Sequence, residues 1–345
     1  MMLATWLVEF YLSKCNELDD LVASESVSQD VDNLLAERTI LEDDLRHFFE
    51  TYKVCTQSFV CCMHTYSGGL TQANLEPKTI YELIQGHGRT DMYLHFATVV
   101  GDFERVVEHW VLEEEWTKAI DVINRQVSTI LFCICDWPNS THQSSLELYY
   151  RFAPVLMRHA PKETVDSWLR QRALDPLRLV PALLRLQHVP RDPLSPNHAV
   201  RYLNHVIFEQ GNTSPTIHNL MITFYASTPA SSTAATTATP SHPEDDGPLL
   251  RFLSTAPSDP LTGKPYYDLD YALRLCKQGS RTQPCVHIYS KMGLWENSVD
   301  LALEKGDLEL AKINADMPED DDQLRKKLWL KIAKYVVQDK QDIKM

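Results

Sequence analysis

Between Tyr266 and Asp339 apolar residues return every three or four positions, a spacing that constrains this chain more than any other feature. Leu269, Ala272, Leu273 and Cys276 fall at i, i+3, i+4 and i+7; Trp295, Ser298, Val299, Ala302 and Leu303 repeat the stripe, as do Leu324, Leu328, Ile332 and Tyr335. Such a stripe places apolar groups on one helical face and leaves the other to water. Gly279, Gly293 and Gly306 fall one short helix apart, where a left-handed C-cap would end each helix. The spacing therefore predicts short helices laid end to end, each too short to be stable alone and obliged to bury its stripe on a neighbour. No run of residues alternates as a strand would.

The same reading extended to the whole chain predicts helices over 3–14, 29–52, 77–87, 90–101, 102–114, 115–126, 145–159, 161–172, 175–187, 196–210, 215–227, 248–255, 267–278, 281–292, 294–305, 307–316 and 320–339. Pro77, Pro161, Pro176, Pro196, Pro215 and Pro248 sit at or beside first-turn positions, where a missing N–H costs nothing. Thr90, Asp102 and Asp175 are expected as N-caps. At the N-terminus Leu3, Leu7, Phe10 and Tyr11 read as the tail of a helix, and Glu9 with no preceding positive charge makes a poor signal peptide.

An internal repeat points to stacking. Sliding the chain by 179 positions gives a gapless match of 102–123 on 281–302: Val107 falls on Val286, Trp110 on Tyr289, Trp116 on Trp295, Ala119 on Ser298 and Ile120 on Val299. The pattern is aliphatic-x-x-aromatic on one helix, then aromatic-x-x-small-aliphatic on the next. A small residue lets the paired helix approach, and the aromatic fills the groove between them. Two-helix repeats imply an all-α fold, an α-solenoid of antiparallel helical hairpins.

These residues also carry a family resemblance. The run from Tyr266 to Asp339, most specifically its Leu324–Tyr335 block, resembles the clathrin-heavy-chain-type repeat region of the vacuolar protein sorting-associated protein 18 (deep orange) family, and the strings at 91–110 and 146–171 resemble it in the same order. Members of that family are class C subunits of the HOPS and CORVET tethering complexes. The resemblance implies a non-enzymatic scaffold for endosome and lysosome or vacuole docking in vesicle-mediated protein transport. It also implies partners among the other class C subunits, an extended solenoid that spaces them, and a cytoplasmic position on late endosomal and vacuolar membranes reached through those partners. Family members begin with a β-propeller and end with a zinc-binding RING. This chain is expected to be a solenoid fragment or incomplete gene product, with no cofactor because no residues correspond to the RING's zinc ligands. A different α-solenoid coat or adaptor would keep the fold and change the partners, although the 34-residue period of a tetratricopeptide protein is not found.

Bulk properties fit that expectation. Lys and Arg number 33 against 47 Asp and Glu, a net charge of −14 over 345 residues. That charge repels phosphate backbones and anionic lipid, which disfavours nucleic acid and a direct polybasic membrane grip. No apolar run approaches the ~20 residues that span a bilayer.

Domain organisation reads as an N-terminal part of the solenoid over 1–226, a low-complexity loop over 227–247 and a C-terminal part over 248–345. The loop, rich in Ser, Thr, Ala and Pro, buries too little apolar surface to offset its ordering entropy. Two further segments, 54–72 and 127–143, read as insertions translated from retained introns. Val54-Cys55 and Val127-Ser128 can be encoded by splice-donor sequences, Gln72 and Gln143 by the acceptor CAG, and Pro138-Asn139-Ser140 can enclose a branch point. Their removal joins Lys53 to Ala73 and Gln126 to Ser144 and restores continuous helix-loop-helix text.

Chemistry-bearing residues are sparse. Five of the eight cysteines, Cys55, Cys61, Cys62, Cys133 and Cys135, lie in those two segments without the paired C-x₂-C spacing of a zinc site. Cys276 and Cys285 sit on apolar stripes as core residues. His47, His109, His159 and His287 are scattered on separate helices, and Gly86-His87-Gly88 is too brief a loop to cradle phosphate. No catalytic, metal or small-molecule site is expected. Arg325, Lys326 and Lys327 form a basic patch after an acidic run, and Trp329 lies off the main apolar stripe; an exposed Trp beside Arg suits a partner surface. The insertion reading predicts that spliced transcripts join Lys53 to Ala73 and Gln126 to Ser144; sequenced transcripts that keep both segments would refute it.

Overall fold

The structure, a computed structural model, describes residues 2–24, 28–51, 76–132, 140–186, 197–226, 246–319 and 321–342. Its helices are α1 (Met2–Ser24), α2 (Ser28–Thr51), α3 (Pro77–Gly86), α4 (Thr90–Val100), α5 (Phe103–Leu112), α6 (Trp116–Phe132), α7 (Ser140–His159), α8 (Pro161–Arg170), α9 (Pro176–Arg185), α10 (His198–Asn204), α11 (Pro215–Ala226), α12 (Gly247–Thr255), α13 (Leu269–Gln278), α14 (Thr282–Lys291), α15 (Trp295–Glu304), α16 (Leu308–Asp316) and α17 (Asp322–Asp342). A π-helical turn over His205–Glu209 extends α10. Among the described residues no strand forms; Ser258 and Pro265 make one isolated antiparallel bridge. Helices pack on the next in sequence and on the next but one, as α1 does on α3, α2 on α4, α11 on α13 and α15 on α17. This is the neighbour-to-neighbour contact of an α-solenoid. The chain divides into two compact units, 1–167 and 168–345.

A fixed length governs both units. In the first, α3 to α6 start at Pro77, Thr90, Phe103 and Trp116; in the second, α13 to α16 start at Leu269, Thr282, Trp295 and Leu308. Every start lies thirteen residues after the last. One kind of turn sets that interval. After α14, Gly293 takes a left-handed φ of 74°, its N–H donates to the Ser290 carbonyl (3.0 Å), and the Leu294 N–H donates to the Tyr289 carbonyl (2.9 Å). These paired bonds satisfy the helix's orphan carbonyls in a Schellman cap. The same two bonds recur with Gly88 and Arg89, Gly101 and Asp102, Glu114 and Glu115, Ser280 and Arg281, and Gly306 and Asp307. The residue after the left-handed one then starts the next helix: the side chains of Asp102 and Asp307 accept from the amides of Arg105 and Leu310.

Several sequence expectations shift by one residue or one face. Gly293 and Gly306 are left-handed as expected, but Gly279 is not (φ −83°); Ser280 holds that position at 54°, which keeps the interval at thirteen. Asp102 and Asp175 cap as expected, whereas Thr90 is the first residue inside α4 and Arg89 occupies the cap. The N-terminal helix runs to Ser24, not to residue 14, and buries Val8, Leu12, Cys15 and Leu18, with Tyr11 packed against the same core and Leu3 and Phe10 exposed. Its second half carries Asn16 and Asp19 to the α3–α4 turn. There Arg89 donates to Asn16 (3.1 Å) and Glu42 (3.0 Å) and pairs with Asp19, while His87 meets Asn16 (3.0 Å) and Glu9 (3.2 Å). The Gly86-His87-Gly88 loop is thus part of a polar clasp across α1, α2 and the α3–α4 turn.

Pro77, Pro161, Pro176 and Pro215 open their helices and Pro248 is the second residue of its own, while Pro196 lies outside the described residues. Residues 54–72, 133–139 and 227–245 lie outside them too; 127–132 continue α6 and 140–143 open α7. The expected loop therefore yields its last two residues, Asp246 and Gly247, to the start of α12. Asp246 is buried, and its Oδ1 accepts from Arg281 at 2.8 Å; a second guanidinium nitrogen reaches the Ala226 carbonyl at 3.4 Å. One side chain from the head of α14 therefore joins the end of α11 to the start of α12. Removing one partner of a buried pair leaves an uncompensated charge, so Arg281→Ala is expected to cost about 3–5 kcal/mol in urea unfolding. Replacing both partners, as Arg281→Met with Asp246→Leu, should recover most of that stability; a single variant as stable as the parent would show that the pair does not bind the framework together.

Candidate interaction surface

The repeat seen in the sequence is a repeat in space. Shifted by 179, α5 (Phe103–Leu112) falls on α14 (Thr282–Lys291) end for end, and the start of α6 at Trp116 falls on that of α15 at Trp295. The left-handed Glu114 falls on Gly293, and all four turn bonds correspond, from Glu113 N–H to His109 O through Ala119 N–H to Glu115 O. A left-handed non-glycine costs about 1–2 kcal/mol, so the turn is held at Glu114 by these bonds and not by local preference.

Val107, Ala119 and Ile120 are buried in the first unit, and Val286, Ser298 and Val299 in the second. Trp110 and Tyr289 lie at the edge of the core beneath lysine ammonium groups, Lys118 4.6 Å and Lys277 5.2 Å from the ring centres. Trp116 is half-buried and stacks on His159 at 4.3 Å, and Trp295 packs against the core that α17 closes with Leu328 and Ile332. The small position differs between copies. Ala119 is apolar, whereas the Ser298 hydroxyl meets the Val286 carbonyl and the Ser290 hydroxyl, each at 3.3 Å, and Ser290 bonds Asn314 of α16.

The basic patch is split by the helix that bears it. Lys327 turns to α15 and pairs with Glu296 at 2.7 Å; one turn on, Lys331 pairs with Asp300 at 2.6 Å. The ammonium of Lys327 holds the Glu296 carboxyl below its ordinary range. This two-rung ladder fixes α17 on α15, and sequence reading missed it because the acids lie 31 residues upstream. Arg325 pairs with Asp322 within α17. Arg325, Lys326 and Trp329 are brought together, with Asp316, Leu330 and Ala333, around an open groove of about 560 Å³. The Trp329 Nε1–H donates to Asp316 Oδ1 at 2.8 Å, which sets the indole as one wall. Trp329 remains 39% exposed and Leu330 57%.

Among the described residues no group of three or more His, Cys, Asp and Glu could hold a metal ion. Cys276 and Cys285 are buried free thiols; a hydrogen bond to Cys285 and burial push Cys276 up. Burial likewise pushes His287 down, with Lys291 adding to the shift. No helix among them is long and apolar enough to cross a membrane.

Comparison with known proteins agrees with this architecture. Residues 103–337 match the family model described as VPS18, alpha-solenoid domain, second half. The chain is 35% identical over 344 residues to the vacuolar protein sorting-associated protein 18 homolog of Danio rerio, covering 99% of this chain and 29% of that protein. It is 33% identical over 347 residues to vacuolar sorting protein 18 of Arabidopsis thaliana, again 99% of this chain and 29% of the other. Against the vacuolar membrane protein pep3 of Schizosaccharomyces pombe it is 29% identical over 343 residues, 99% of this chain and 32% of that one. The chain thus spans about three tenths of the length of these relatives.

The two small positions offer a matched test of the repeat. Ala119→Leu and Ser298→Leu each force extra atoms into a closed helix contact and are expected to cost about 1–3 kcal/mol in chemical denaturation. Ser298→Ala, which reproduces the first copy, should cost less than Ser298→Leu; equal losses would mean that the network and not the close approach sets the position.

Proposed function

The chain belongs to the VPS18 family by its α-solenoid region, and on that premise we propose that it is a non-enzymatic scaffold subunit of a membrane-tethering complex of the HOPS or CORVET kind. In this reading it acts in vesicle-mediated protein transport, where late endosomes and vacuoles or lysosomes dock before fusion. The observation that carries the proposal is the family match over 103–337 together with relatives named for vacuolar sorting along 99% of this chain.

The physical arrangement supports it. The described core serves to hold helix on helix, so what remains for function is the outward surface. A net charge of −14 turns away nucleic acid and anionic lipid. Proteins are then the natural partners, namely the other class C vacuolar protein sorting subunits, and membranes are met through them from the cytoplasmic side. Arg325, Lys326 and Trp329 belong to the partner surface, while Lys327 serves the scaffold through Glu296. No cofactor takes part in this role.

Affinity capture of the tagged full-length protein from its native cells tests the reading. The other class C subunits should be recovered in stoichiometric amounts and co-migrate by size. A capture that repeatedly yields the protein without any of them would overturn the proposal.

A further inference from the structure

Helix α17 is apolar on two opposite sides. Leu328 and Ile332 are buried inward, with Leu324 and Tyr335 half-buried beside them. Turned about half a circle away are Leu330 and Val337, each 57% exposed, and Ala333, with Trp329 beside them. A helix face that must only meet water does not need that second stripe.

The cations along α17 show what chemistry this outer face would take. Arg325 pairs with Asp322, Lys327 with Glu296 and Lys331 with Asp300. Lys326 and Lys334 are exposed, and among the described residues neither makes an ion pair. They lie four residues before and four after Leu330, on the outer stripe. At 1.5 Å rise per residue they stand about 12 Å apart along the helix. Two spare positive charges thus bracket an exposed apolar strip and a groove, on a chain whose net charge is −14.

We propose that this face docks an acidic amphipathic helix of another protein. Its apolar side chains would sit against Trp329, Leu330 and Ala333, and two of its carboxylates, about two turns apart, would meet Lys326 and Lys334. The surface argues against other occupants. A second copy meeting it by a two-fold contact sets the same lysines against each other, a like-charge clash. An anionic membrane finds only two spare lysines on a strongly acidic protein, too few for a stable electrostatic grip. The inference rests on the scaffold reading only in taking the occupant to be a protein.

The test uses the 345-residue chain and a fluorescently labelled synthetic helix of about eighteen residues, five turns long. The probe carries an apolar stripe and two glutamates eight positions apart, matching the interval from Lys326 to Lys334. Anisotropy should show saturable binding, weakened about tenfold or more by Leu330→Asp and by Lys326→Glu with Lys334→Glu. The paired charge reversal should instead bind a probe whose glutamates are replaced by lysines. Circular dichroism melts check that the variants keep the parent fold, and these exposed sites should leave them unchanged. Absence of binding, or binding indifferent to the charge swap, overturns the proposal. So does Leu330-dependent self-association in sedimentation, which assigns the face to a second copy, or Lys326-dependent binding to phosphatidylserine vesicles, which assigns it to lipid. Because the probe contains no tether subunit, a negative result here leaves the outcome of the capture experiment standing, and a negative capture leaves the binding result standing.

Discussion

A helix of ten residues closes only about six internal backbone hydrogen bonds and leaves about eight groups, four N–H and four C=O, unsatisfied at its two ends. Helices of that length cannot persist singly in water. Here α3, α5, α13, α14 and α15 all have it, so two conditions must be met together. Each end must be closed locally, and each apolar stripe must find a neighbour. The Schellman turn meets the first condition in three residues and hands the chain directly to the next helix. It also fixes the direction in which that helix leaves, and so meets the second. From this coupling follow the thirteen-residue interval, the packing of successive helices such as α5 on α6 and α14 on α15, and a core made of repeated small contacts.

Polar groups specify where that regular packing is adjusted. In the first unit Arg89, at the head of α4, draws Asn16, Asp19 and Glu42 from α1 and α2 onto the α3–α4 turn. In the second, Arg281 at the head of α14 holds both Asp246 and the Ala226 carbonyl, residues twenty positions apart. Both arginines occupy the helix-start position that Asp102 and Asp307 fill elsewhere. Where an aspartate stands, the turn caps itself; where an arginine stands, it ties in a distant element. A buried charge pair of this kind adds little net stability against an apolar substitute, but it penalises any arrangement that separates the partners.

How far the sequence could be read follows from the range of each interaction. The stripes of Leu269 to Cys276 and Leu324 to Tyr335, the caps at Asp102 and Asp175 and the match of Trp116 with Trp295 are all local, and each is found where its spacing places it. The interval between Gly88 and Gly101, and again between Gly293 and Gly306, carries the thirteen-residue unit in plain view. Glu114 and Ser280 hide it, because neither residue type signals a left-handed turn. The face of α1 escapes a local reading for a different reason. Leu3, Leu7 and Phe10 form as good a stripe as Val8, Leu12 and Cys15, and the packing of Val8 and Leu12 against Leu45, Phe49 and Ile80 selects between them.

The amino-acid order by itself determined that the regular elements of this chain are helices, that many of them are short, and that they repeat in pairs, since periodicity, capping and turn chemistry act within a few residues. It also placed Arg325, Lys326, Lys327 and Trp329 together on one stretch of helix. Only the tertiary structure decided that Lys327 belongs to Glu296, that Lys326 and Lys334 stand exposed on either side of Leu330, and that Asp246 closes onto Arg281. Those outcomes depend on charges tens of residues apart meeting across packed helices, and a one-dimensional pattern holds no record of which neighbour a side chain will face.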